Sequence, residues 1–413
     1  MSLRTYHDPL HHGITLDRNN QAEAMVIELI DSAPFQRLRR IRQLGPAFLT
    51  FHGAESSRFT HSLGVFHIAR RALDRLRGLD ENLSKIEGIL YGAALLHDIG
   101  HSPLSHTGEE MFGLSHERWT GFLVKDHPEI RKSLEGFAKG TADQVASLFG
   151  EGQSPHHVVK ALVSSQLDCD RLDYLLRDSY ITGTRYGQLD LERILSALTI
   201  APDGDLAIHP KGLMAVEHYL VVRNLMYRSV YNHRINEVCS WLLEQIIRTA
   251  RKLGPKKVWA DKYMSTWLWQ PDEIDLATFL ANDDVRTCYH LLRWQEEAPE
   301  VLAQKCTRFI NRNLLKALDV HHLSNESQLE ALAKARKLVE KQGEDPDQLC
   351  ALRLQKLESY QPYKKGLRLW DGEELKSLES VSPLVAGLVN PARSAWLIHP
   401  KGIHKDLKKE LNI

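Results

Sequence analysis

"LLHDIGHSPLSH", residues 95–106, sets three histidines and an aspartate within ten positions, directly behind the apolar run "GILYGAA". Apolar residues without a polar stripe read as a helix buried on all sides, here stopping at Gly100. Ser102 and Pro103 are predicted to cap and begin the next helix, "PLSHTGEEMF". Consecutive helical side chains diverge by about 100°, so His97 and Asp98 can share one ion only if it sits beside the helix end. Any further ligands must then come from distant parts of the chain.

Working outward, "QAEAMVIELIDSAPFQRLRRIRQLG" (21–45) predicts two short helices broken near Pro34, and another helix starts near Ser57. Downstream, helical periodicity covers 117–124, 141–148, 155–164, 168–178 and 188–198. "LTIAPDGDLAIHPKG" carries a hairpin signal at Asp203 and Gly204, and a proline-free stretch from Leu213 to Lys252 predicts one long helix. The fold class is mainly α: a helical core over residues 1–253 with a short β-hairpin, and a smaller α+β lobe over 254–413, where "CALRLQKLE" and "SAWLIHPKG" look strand-like.

Lys plus Arg and Asp plus Glu each number 53, so no global field draws in polyanions. Arg37, Arg39, Arg40 and Arg42 form a basic run, but without interleaved aromatics it fits a solvated or interfacial helix face, and nucleic acid is not predicted as a partner. Five scattered cysteines lack CxxC spacing, which argues against a disulfide framework or a zinc cage. No apolar run nears the roughly 20 residues of a membrane span, and a cytoplasmic location is expected. His156/His157 and His321/His322 have no carboxylate in a matching context and read as surface pairs.

His61 in "SSRFTHSLG" and Asp170 in "LDCDRLDYLLRD" are candidates to complete a set of two imidazoles and two carboxylates with His97 and Asp98. Such a set suits Mn²⁺, Fe²⁺, Mg²⁺, Ni²⁺ or Zn²⁺. Asp168 and Asp173 compete with Asp170. His106 and Glu109 are three apart, a spacing that lets a carboxylate orient an imidazole. Arg171, Tyr174 and Asp178 fall on one helical stripe, and Arg223 and Tyr231 share another face.

In order along roughly residues 5–250, "DPLHHGITL", "FQRLRRIRQLG", "SSRFTHSLG", "LLHDIGHSPLSH", "LDCDRLDYLLRDSY" and "RNLMYRSVYNHR" resemble the HD-domain phosphohydrolases. They are most similar to the branch of deoxynucleoside triphosphate triphosphohydrolases. The resemblance implies His61, His97, Asp98 and Asp170 as ligands of a divalent metal that polarises a phosphoryl oxygen and activates water. Attack at the α-phosphorus would release tripolyphosphate and a deoxynucleoside.

His106 with Glu109 would protonate the leaving 5′-oxygen, with His116 nearby in the catalytic group. Arg58, His101, Arg171 and Arg223 would contact phosphates, and Tyr174 would lie with them in the substrate site. Gln43 and Asp178 would hold the 3′-hydroxyl, and Tyr231 would leave no room for a ribose 2′-hydroxyl. Asp31, Gln36 and Arg39 match residues that read a guanine effector, GTP or dGTP, in homo-oligomeric relatives, and a dimer or tetramer is implied. His7 and His12 depart from the family pattern there. An HD nuclease or phosphatase acting on another phosphoester, or a non-catalytic nucleotide sensor, are the alternatives.

Overall fold

In the computed structural model the apolar run is the helix Glu87–Leu96, with every residue from Gly88 to Leu96 buried. The structure describes residues 2–150, 156–356, 360–362, 366–389 and 393–412. The last two positions of "CALRLQKLE" (357 and 358) and the first of the predicted helix 155–164 lie outside them. The buried helix is packed by Gln21–Asp31, Arg58–Arg77, Thr141–Ala146 and His157–Val163. Its closeness to the helix His116–Asp126 depends on Gly100, where a Cβ would lie 2.2 Å from the Thr120 backbone nitrogen.

The fold is mainly α with small sheets, as the periodicity predicts. Asp168 opens the helix Cys169–Thr182 by accepting from the Arg171 amide at 2.8 Å, and Gly183 in the left-handed region closes it. The hairpin at Asp203 and Gly204 pairs Leu198–Ile200 with Leu206–Ile208. A parallel partner, Arg368–Trp370, and then Leu375–Ser377 extend it to four strands, so this sheet spans the 253/254 position. Lys316–Asp319, Arg393–His399 and Ala351–Lys356 form an antiparallel sheet with Arg393–His399 central.

Three expectations are corrected. The helix after the HD pair begins at His106, not at Ser102–Pro103, because residues 102–105 form a turn in which Leu104 (φ 62°) and Ser105 (φ 59°) are both left-handed. Asp284 compensates that strain by accepting from the Leu104 amide at 2.7 Å and the Arg42 amide at 2.9 Å.

The stretch from Leu213 to Lys252 is two helices, Leu213–Met226 and Arg234–Leu253, joined by a π-helical turn over Tyr227–Tyr231. No proline or glycine marks the break. Side chains make it: Asn236 Nδ2 donates to the Val230 carbonyl at 2.8 Å, and His233 accepts from the Ile235 amide. Finally, of the solvated or interfacial face expected for the basic run, Arg37 is not on the solvated one; it is 1% exposed and donates to the carbonyls of Asn282 and His101.

A hairpin that the sequence reading lacks, Leu3–Asp8 with His12–Asp17, covers one side of the core. All five cysteines are free. Among the described residues no helix is long and apolar enough to cross a membrane.

Candidate metal centre and catalytic cavity

Three helices separated in sequence bring the HD pair its partners. His61 lies in the first turn of Arg58–Arg77, His97 and Asp98 follow Glu87–Leu96, and Asp170 lies in the first turn of Cys169–Thr182. His61 Nε2 is 3.3 Å from His97 Nε2 and 3.0 Å from Asp170 Oδ1. Asp98 Oδ2 stands 3.5 Å from His61 Nε2 and 3.4 Å from His97 Nε2. Arg58 Nη1 also contacts that oxygen, so the expected phosphate ligand neutralises the carboxylate. Asp168 caps its own helix and pairs with Arg171, while Asp173 lies on the far side of His61. Of the three competing aspartates, Asp170 faces the imidazoles.

The donor set fits a divalent cation. His97 Nδ1 donates to the Ala94 carbonyl at 3.0 Å, and His61 Nδ1 donates to Asp173 Oδ2 at 2.8 Å. In the neutral rings both Nε2 lone pairs therefore face each other, an arrangement that needs a cation between them. Burial opposes a charge on His61, but Asp170 and Asp173 outweigh it and drive its pKa up to about 10. The pocket thus demands positive charge, and His61, His97 and Asp170 place their ligand atoms within 4.8 Å of one another.

Beside this centre, Glu109 Oε1 accepts from both His106 Nδ1 at 2.9 Å and His116 Nδ1 at 2.8 Å. Burial raises the Glu109 pKa, but these two donors prevail and hold it well below the usual carboxylate range. His101 is fully buried and stacks on His116 at 4.0 Å between ring centroids. Its Nε2 lies 3.2 Å from Asp98 Oδ1, while burial, Arg58 and His116 hold its pKa well below the ordinary imidazole value. The donor atoms of His101, His106, Glu109 and His116 also lie within 4.8 Å of one another. Two ring N–H groups aimed at one carboxylate oxygen form an acid–base fork.

A cavity of about 420 Å³ opens over both clusters, within the size range of small-molecule sites. Gln43, Arg58, His97, Asp98, His101, His106, His116, Asp170, Arg171, Tyr174, Asp178 and Tyr231 line it. His61 lies beneath its floor, fully buried, and Glu109 stands behind His106 and His116. Arg223 is not a lining residue: it is buried behind the wall, 5.8 Å from the Tyr227 ring centre.

In the same cavity wall, Tyr231 Oη donates to Asp178 Oδ2 at 3.0 Å, and the Tyr174 ring meets Tyr231 edge-on at 5.6 Å. The π-helical turn presents Tyr227 and Tyr231 together. Asp31, Gln36 and Arg39 are not among the residues that line this cavity. Arg4 pairs with Asp31 through bonds of 2.5 and 2.8 Å, and Arg39 Nε donates to Gln36 Oε1 at 2.8 Å.

Sequence reasoning missed Lys160 and Tyr227, which line the cavity, and the supports Asp8, His11 and Arg177, and it weighed Asp173 as a ligand where the structure makes it a support of His61. Lys160 carries no local signal in "HVVKALV". His11 does, since it belongs to the matched stretch "DPLHHGITL".

A family model described as the HD domain matches residues 58–178, and one described as the HD associated region matches 189–400. The Bacillus subtilis protein YwfO is 32% identical over 411 residues, 97% of this chain and 93% of its own length. The Dictyostelium discoideum SAMHD1 homolog, named a deoxynucleoside triphosphate triphosphohydrolase, is 27% identical over 71% of this chain and 57% of its own. The crystal structure of a phosphohydrolase from Bacteroides thetaiotaomicron has a TM-score of 0.81 at 25% identity, covering 97% of this chain and 100% of that one. With both family regions in place around a His/Asp cluster suited to a divalent ion, the chain belongs to the HD-domain phosphohydrolases.

Proposed function

We propose that the protein hydrolyses deoxynucleoside triphosphates to deoxynucleoside and tripolyphosphate. The observation that carries this reading is the pairing of Tyr231 with Asp178 in the same cavity as the imidazole clusters. A triphosphate laid across the cationic side chains Arg58, Lys160 and Arg171 would bring its sugar to that pair. Asp178 accepts from the 3′-hydroxyl, and the Tyr231 ring fills the space that a 2′-hydroxyl needs.

His61, His97, Asp98 and Asp170 would hold the divalent ion, which supplies Lewis acidity toward the α-phosphate and its attacking water. Arg58 and His101 orient the α-phosphate, and Arg171 and Lys160 orient the outer phosphates. As the bond from the α-phosphorus to the 5′-oxygen breaks, His106 gives that oxygen a proton from Nε2. Glu109, bonded to His106 Nδ1, fixes the tautomer and stabilises the charged ring. His116 shares the same carboxylate oxygen and keeps it oriented. Asp31, Gln36 and Arg39 would take a guanine effector in a homo-oligomer.

The test is to incubate the Mn²⁺-loaded protein with each dNTP, each NTP and single-stranded DNA, with and without GTP. Tripolyphosphate from dNTPs alone is expected. Orthophosphate or shortened DNA without tripolyphosphate would overturn the proposal.

A further inference from the structure

We propose that the N-terminal hairpin is part of the metal centre: His11 is a positioning residue that fixes Asp173 and, through Asp173, the ligand His61. The inference rests on reading His61, His97, Asp98 and Asp170 as the metal site.

Asp173 is fully buried and has four donors. Its Oδ1 accepts from His11 Nε2 at 2.6 Å and Arg177 Nη2 at 3.0 Å. Its Oδ2 accepts from His61 Nδ1 at 2.8 Å and Arg177 Nε at 2.7 Å. Arg177 therefore grips both oxygens in a fork, while His11 and His61 each claim one. A carboxylate filled in this way cannot rotate without breaking several bonds, so it sets the His61 ring plane and keeps Nε2 aimed at Asp170.

His11 is itself fixed. Asp8 Oδ1 accepts from the Leu10 and His11 amides, both at 2.8 Å, while Asp8 Oδ2 accepts from Arg177 Nη1 at 2.8 Å. The hairpin turn and the Asp173 fork thus share Arg177. Gly64 permits the approach of the two helices: a Cβ there would lie 1.9 Å from Asp173 Oδ1.

These contacts leave the ligand His61 two hydrogen bonds away from His11, which lies 50 residues before it in the chain and 162 residues before Asp173. Thermodynamic reciprocity follows: if docking of the hairpin tightens the site, a bound ion must tighten the hairpin.

Two measurements test this. Metal-free His11→Ala, titrated with Co²⁺, should bind about tenfold more weakly than the wild type and show a shifted visible spectrum. His11→Gln, whose amide nitrogen can reach Asp173 in place of Nε2, should recover most of both. In the wild type, Co²⁺ should slow hydrogen exchange of the amides in residues 3–17, which decides the matter even if His11→Ala fails to fold. Affinity in folded His11→Ala within twofold of wild type, or hairpin exchange indifferent to Co²⁺, overturns the inference. A wild-type chain that takes up no Co²⁺ instead overturns the metal reading beneath it.

Discussion

Asp178→Asn should stabilise the protein progressively as the pH rises. Asp178 is 1% exposed, Oδ2 accepts only from Tyr231 Oη, and Oδ1 has no hydrogen-bond partner among the described residues. Burial pushes its pKa from the ordinary 3.8 up to about 7, against smaller opposing effects of His61 and the Tyr231 hydroxyl.

Between those two values the folded chain holds a proton that the unfolded chain has lost. The contribution of Asp178 to stability is therefore complete below 3.8 and is lost as the pH rises to about 7. Each pH unit in that window costs about 1.4 kcal/mol, so the full cost at neutral pH is on the order of 4 kcal/mol. An asparagine does not titrate. Its unpaired amide costs about 1–3 kcal/mol, but that cost is the same at every pH.

The assay is urea unfolding of wild type and Asp178→Asn, both with chelator, at about pH 5.5 and about pH 8. The stability difference should move in favour of the variant by about 2 kcal/mol between them. A difference that stays constant across the range refutes the argument that this carboxyl holds its proton through burial. The same variant should hydrolyse dNTPs poorly at pH 8, because it lacks the charged acceptor for the 3′-hydroxyl.

Glu109→Gln removes the carboxylate shared by His106 and His116, and kcat should fall by about 10²–10⁴ with little change in Co²⁺ affinity. Single-turnover kinetics with direct metal titration check both halves. Tyr231→Ala opens the space beside the sugar, so discrimination against ribonucleoside triphosphates, measured as the ratio of kcat/KM values, should drop by about 10–100-fold. Asp284→Ala deprives the Leu104 and Arg42 amides of their acceptor, at about 1–3 kcal/mol each, and frees the left-handed turn before His106. It should lower denaturant stability and kcat together while metal affinity is retained. Chelation should abolish turnover, and stoichiometric Mn²⁺ should restore it.

Periodicity and local chemistry made much of this protein legible. The all-apolar face of "GILYGAA" announces a buried helix, and His97–Asp98 at its end announces a site that needs outside ligands. The spacing of His106 and Glu109 places both groups on one helical face, and the observed bond of 2.9 Å follows from it. Asp203–Gly204 mark the hairpin because a tight turn needs residues that tolerate left-handed backbone. These are effects of neighbours within about one or two helical turns, which a sequence displays directly.

What remained hidden depends on partners far along the chain. Asp168 is set apart locally as the cap of its own helix, but nothing local distinguishes Asp170 from Asp173; the approach of His61, 109 residues upstream of Asp170, makes one a ligand and the other a support. The turn at Leu104–Ser105 escaped detection because Asp284, 180 residues downstream of Leu104, compensates its strain. The break at Tyr227–Tyr231 is drawn by side chains and not by proline, and Arg37 is buried by carbonyls from other segments. Sequence alone thus determined that helices dominate the fold and which residue types could do the chemistry. Tertiary structure decided which of them meet, because a hydrogen bond is directional and short, whereas hydrophobic periodicity specifies only which face turns inward.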